Sequence, residues 1–222
     1  MKSNQEIIEK LLSRIDHFSY IREQDIPDID LYMDQVTSFL DEHLSGNKRH
    51  PEDKALTKTM INNYAKNHLL PAPNKKKYSK DHLLLLIFIY YYKNLISLSD
   101  IQMLFKPLLS MGNFPGSEQN ETQEKELSGL SRIYRKILPL EADNIRKIKP
   151  DIKDKYSKAA AEMKGIKCSE EEREYLTLFA FVSELALDVY AKKQMIEQIA
   201  DELSAESAPV KIRKKKEKER AD

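Results

Sequence analysis

Residues 55–105 read ALTKTMINNYAKNHLLPAPNKKKYSKDHLLLLIFIYYYKNLISLSDIQMLF. From Thr57 to Leu70, Met60, Ile61, Tyr64 and Leu69 recur at helical spacing, which predicts a helix capped by Thr57 or Thr59. Its outer face is left with Lys58, Thr59, Asn62, Asn63, Lys66 and Asn67, and no acid. Ammonium, amide and hydroxyl groups suit phosphate oxygens and base edges. Pro71 and Pro73 then stop the helix. Asn74 to Lys77 is expected to form a tight turn pointing Lys75, Lys76 and Lys77 the same way, followed by Tyr78 and the cap Ser79, with Asp81 in the next first turn. Leu83 to Ile96 is apolar on most faces, the pattern of a central core helix. Ser97 and Asp100 form a variant capping box for a further helix that buries Ile101, Leu104, Phe105 and Leu108.

Charge sharpens the picture. The 222 residues carry a net charge of +1, which points to no partner. Residues 1–53 hold twelve acids and six bases, whereas residues 54–80 hold seven lysines and no acid. A near-neutral chain with one such patch can bind a polyanion locally.

Outward from this stretch, the chain reads as all-α. Five glycines and no tryptophan, amid many Leu, Ile, Lys and Glu, favour helix over sheet. Residues 5–18 align Ile7, Ile8, Leu11, Leu12, Ile15 and Phe18 on one face. A break at Pro27 precedes a second helix from about Asp30 to Leu44, with Tyr32, Val36, Phe39, Leu40 and Leu44 on its apolar stripe. Two helices are expected at about 121–138 and 151–164. Ser169 and Glu172 open a long last helix in which Tyr175, Leu178, Val182, Leu185, Val189, Ile196, Ile199 and Leu203 form a heptad-like seam, interrupted at Lys192. The expected divisions are 1–29 (helix and linker), 30–110 (a first domain), 111–126 (linker), 127–204 (a helical module for dimerisation or effector binding) and 205–222 (a disordered basic tail).

Several chemistries find no support. One cysteine, Cys168, forms no internal disulfide. The five histidines show no HExxH spacing, and there is no GxSxG, P-loop or GxGxxG. No enzyme activity, metal or cofactor is therefore expected. Tyr90, Tyr91 and Tyr92 read as core packing rather than as a base-stacking platform. The opening MKSNQEIIEK lacks the apolar centre of a signal peptide, and the longest apolar run, Leu83 to Tyr92, is half of what a bilayer span needs. A cytoplasmic protein without membrane contact is expected.

Met60-Ile61-Asn62-Asn63-Tyr64, Leu69-Leu70-Pro71, Lys76-Lys77-Tyr78-Ser79, His82-Leu83 and Ser97-Leu98-Ser99-Asp100-Ile101 follow one another in an order and spacing that resembles MerR-type regulators over about residues 56–105. Asn62 and Asn63 stand at that family's usual arginine and tyrosine positions, and His68 at its glycine. The resemblance implies a winged helix-turn-helix over 30–110 in a bacterial transcription regulator. It implies a homodimer on double-stranded DNA, with a small-molecule effector as a possible further partner. Helix 57–68 would lie in the major groove and the basic turn 74–78 on phosphates. The DNA-binding residues would be Lys58, Thr59, Asn62, Asn63, Lys66, Lys75, Lys76, Lys77 and Tyr78, with the seam from Leu178 to Leu203 as the dimer interface. A helical adaptor without DNA binding is the alternative. The phrases IPDIDLYMDQVTSFLD and LTKTMINNYAKNHLLP also resemble an uncharacterised bacterial family, a domain of unknown function.

Overall fold

A computed structural model describes residues 3–18, 20–109 and 128–207, and it is mostly helical. In chain order the described elements are α1 (Asn4–Ile15), β1 (Leu31–Tyr32), α2 (Met33–His43), α3 (Lys58–Lys66), β2 (Lys77–Tyr78), α4 (Lys80–Tyr92), α5 (Leu98–Leu109), α6 (Gly129–Met163) and α7 (Glu170–Ser207). Short 3-10 turns occupy Glu23–Asp25 and Ser45–Asn47. Among the described residues no helix is long and apolar enough to cross a membrane.

The main core forms around α4. Leu83 to Ile89 are all buried, so this helix has no solvent face over two turns. Each such side chain contributes about 1.5–3 kcal/mol relative to exposure. Val36 and Leu40 of α2, Ile61 and Tyr64 of α3, Leu69, Leu70, and Ile101 and Phe105 of α5 pack around it. The polar start of α4 is held by its cap, where the Ser79 N–H donates to His82 Nδ1 at 3.1 Å. His82 is buried, and burial lowers its pKa below the usual 6.5 despite nearby carboxylates and backbone carbonyls.

The packing crosses the divisions expected from sequence. Ile21 and Ile26, assigned to a linker, are in the main core, as are Leu130 and Tyr134 of α6. The Tyr134 hydroxyl donates to the Ile21 carbonyl at 2.6 Å. α5 packs on α7, and α4 on α6, so 30–110 and 127–204 share one core. The linker at 111–126 lies outside the described residues, as does the tail from 208 onward, while 205–207 continue α7.

Two helices were expected between 121 and 164, but α6 runs unbroken for 35 residues through Pro139 and Pro150. Each proline frees the carbonyl four residues before it, here Arg135 and Arg146. The prolines lie eleven positions apart, about three turns, so they share one face. That face is exposed at Pro139, Pro150, Arg135 and Arg146, and water can satisfy the freed carbonyls. α7 folds back along α6, and a satellite core of Ile8, Ala159 and Phe181 joins both to α1.

Candidate nucleic-acid interface

Thr57 caps α3, its hydroxyl accepting from the Met60 N–H at 3.2 Å. Burial of Ile61 and Tyr64 turns the opposite side outward, and Lys58, Thr59, Asn62, Asn63 and Lys66 are all exposed. The helix ends in a Schellman motif: the Leu69 N–H donates to the Tyr64 carbonyl at 2.9 Å and the His68 N–H to the Ala65 carbonyl at 3.2 Å. His68 takes a φ of 57°, the left-handed conformation usually given to glycine there.

The chain then runs through Pro71 and Pro73 into a turn closed by the Lys77 N–H on the Asn74 carbonyl at 2.8 Å. Both central residues have positive φ, 47° at Lys75 and 66° at Lys76. That is the signature of a type I′ turn, whose preferred central residues are Asn and Gly. The turn delivers β2, which pairs antiparallel with β1, Leu31 opposite Tyr78 and Tyr32 opposite Lys77. Lys77 Nζ lies 5.1 Å from the centre of the Tyr32 ring. Tyr32, expected on the apolar stripe of the second helix, instead lies in β1 and is exposed, because a two-residue strand pairing between segments 45 residues apart leaves no periodic pattern to separate it from the helix that follows.

Tyr78 corrects the expected site. It is only 3% exposed, packs edge-to-face with His82, and belongs to the core. In a two-residue strand successive side chains face opposite ways. Lys77 points out beside Tyr32, and Tyr78 necessarily points in.

The lysine-rich segment is less uncompensated than its local sequence suggests. Lys54 pairs with Asp41 at 3.1 Å, Lys58 with Asp34, and Lys80 with Glu23 at 2.6 Å and Asp28 at 2.5 Å. The acids come from residues 23–41, folded back against the basic stretch. Burial opposes the charge on Asp41, but hydrogen bonds from Lys48, the Ala55 N–H and Lys54 outweigh it and hold the carboxyl at about 2. Among the described residues, Lys66, Lys75 and Lys76 form no ion pair.

Asp34 and Tyr32 flank the start of α2. Asp34 pairs with Lys58 at the start of α3, and Tyr32 carries Lys77 at the end of the turn. One three-residue segment therefore touches both parts of the expected DNA-binding surface, bringing the α3 face and the lysine turn together.

The expected seam on α7 divides. Leu185 packs on the satellite core, Ile196 on the main core, and Leu178 and Leu203 are half-buried. Val182, Val189 and Ile199 are exposed. α7 buries Thr177 and Phe181 first and Ala200 later, so its buried face rotates along the helix and cuts across the seam. A neighbouring stripe, Tyr175, Phe179, Val182, Ala186 and Val189, is exposed throughout and keeps spacings of four and three.

Residues 21–127 match the family model of a domain of unknown function, DUF1836. The match begins at Ile21, the first residue of the main core, and takes in the α3 face and the lysine turn. DUF1836 covers just under half of the chain; α1, α6 and α7 lie outside it. No MerR-type family model matches. No curated protein and no solved structure matches the chain.

Proposed function

We propose that the protein is a DNA-binding transcription regulator whose segment 30–110 is a MerR-like winged helix-turn-helix. The observation that carries this reading is the junction at residues 32–34, which holds α3 and the basic turn on one surface. α2 and α3 serve as the helix-turn-helix, β1, β2 and the turn as the wing, and α3 enters the major groove. Asn62 and Asn63 present paired amide groups of the kind that read adenine N6 and N7. Lys66, Lys75, Lys76 and Lys77 bind phosphates, and Lys58 exchanges Asp34 for one.

The test is anisotropy of labelled duplex from the region upstream of the protein's own gene, over a salt series with random duplex as competitor. Wild type binds with an affinity that falls steeply with salt, Lys75/Lys76/Lys77→Glu abolishes binding, and Asn62→Ala/Asn63→Ala removes the preference over random duplex by about tenfold. Equal preference in the asparagine variant would sink base reading by α3. No binding by the folded wild type at low salt would sink the regulator.

The reading includes a homodimer, which doubles the phosphate contacts and suits a palindromic site. The exposed stripe from Tyr175 to Val189 has coiled-coil spacing and supplies the seam. Val182→Glu/Val189→Glu is expected to convert a dimer to a monomer in light scattering, with helical content unchanged; a monomeric wild type would remove this part. The same stripe favours the second reading, a helical protein-interaction protein without DNA binding, which is selected if the folded chain has no duplex affinity.

A further inference from the structure

Among the exposed large apolar side chains described between residues 20 and 80, Tyr32 is the only aromatic, at 53% exposure. Its backbone is fixed on both sides: its N–H donates to Gln35 Oε1 at 2.9 Å at the start of α2, and it pairs with Lys77 across the strands. A large ring kept in water on a fixed backbone costs little entropy to dock. Its face also does work in the free protein, because Lys77 Nζ rests over it at 5.1 Å. Of the two carboxylates nearest to Tyr32 in sequence, Asp34 is taken by Lys58, and Asp30 makes no ion pair with Lys77 among the described residues. Lys77 is thus parked on an aromatic face rather than on an acid, and its charge stays available to an anion.

Resting on the regulator reading, we propose that Tyr32 is itself a contact for duplex DNA: its hydroxyl donates to a backbone phosphate, and its ring positions Lys77 on the same strand. The arrangement places a neutral donor and a cation on the surface segment that joins α3 to the basic turn. Phosphate is the fitting ligand, since tyrosine hydroxyls and lysine ammoniums are both common donors to it. Tyr32 would add affinity without sequence preference, leaving preference to α3.

The chain contains no tryptophan, so Tyr32→Trp makes a single emission probe at the position in question. Titrating this variant with a mixed-sequence duplex at low salt is expected to change its emission and reduce its quenching by acrylamide, saturating together with the anisotropy of the labelled duplex. Tyr32→Phe keeps the ring and Lys77 and is expected to lose about tenfold in affinity from the hydroxyl contact. Tyr32→Ala loses more and lowers the salt slope by about one contact, with a circular dichroism spectrum equal to wild type. If wild type binds duplex while the tryptophan emission stays constant and both variants bind like wild type, Tyr32 is no contact and the regulator reading stands without it. If folded wild type does not bind duplex at low salt, the regulator reading falls and this inference with it.

Discussion

Replacing Lys75-Lys76 by Asn-Gly is expected to raise the stability of the folded chain by about 1–2 kcal/mol and, on the proposed regulator reading, to lower its affinity for duplex DNA about tenfold or more. The first half follows from backbone geometry. Both lysines sit at positive φ in a turn closed by the Lys77 N–H on the Asn74 carbonyl. A side chain with a Cβ costs about 1–2 kcal/mol in that region, less for asparagine and nothing for glycine, though glycine returns part of the gain as unfolded-chain entropy. The second half follows from charge. Neither lysine has an ion-pair partner among the described residues, so on the proposed reading both contact phosphate, and removing two such contacts is expected to shallow the salt dependence by nearly two. Urea unfolding and duplex anisotropy read the two effects separately. Lys75→Gln/Lys76→Gln is the control, because it keeps the strained turn and removes only the charge; it should lose affinity with no gain in stability. Lower stability in the Asn-Gly variant would mean that the lysines hold the turn by contacts of their own. Unchanged affinity in both variants would take the turn out of the interface.

What the sequence made legible was local. Thr57 caps α3, Ser97 with Asp100 and Ser169 with Glu172 form reciprocal caps, and the apolar run of α4 is central, because each is written within a few residues of itself. The tight turn at 74–77 was equally readable; the left-handed strain in it was not, since Lys-Lys carries none of the usual Asn-Gly signature. What stayed hidden depends on distant partners. The continuity of α6 rests on both prolines falling on a wet face, which periodicity alone does not show. Tyr78 reads as a surface residue beside three lysines until its strand partner fixes which way it points. The lysines of 54–80 looked uncompensated because their acids lie 13 to 57 positions earlier in the chain. The α7 seam reads as one face broken only at Lys192, because its heptads do not reveal that the buried face rotates from Phe181 to Ala200.

Glu23→Gln tests the most consequential of those hidden contacts, and the expected result is a loss of about 3 kcal/mol near neutral pH. Glu23 opens a 3-10 turn in a segment that reads as a linker, yet its side chain is 3% exposed. Lys80 Nζ approaches Oε1 at 2.6 Å, and Arg135 Nε and Nη2 both reach Oε2 at 2.6 Å. The carboxylate therefore joins the first residue of α4 to α6. The cost belongs at the low end of the range for breaking a buried pair, because Lys80 keeps Asp28 and Arg135 is half in water. The pH dependence gives the decisive signature. Burial pushes the Glu23 carboxyl up, but the hydrogen bonds and charges of Lys80 and Arg135 outweigh it and hold the group below its usual 4.5. The unfolded chain then takes up this proton at a higher pH than the folded protein does. The contribution is fully present above about 4.5 and is lost as pH falls through the lower folded value. Urea midpoints for wild type and Glu23→Gln should thus lie far apart at pH 7 and approach each other as the pH drops below 4.5. A constant offset across that range would show that Glu23 acts by shape and packing alone. Because α4 begins at Lys80, two residues after β2 ends, the same ion cluster is expected to help hold the lysine turn against the core. A variant that unfolds more easily but still binds duplex like wild type would show that the turn keeps its place through the β1–β2 pairing without it.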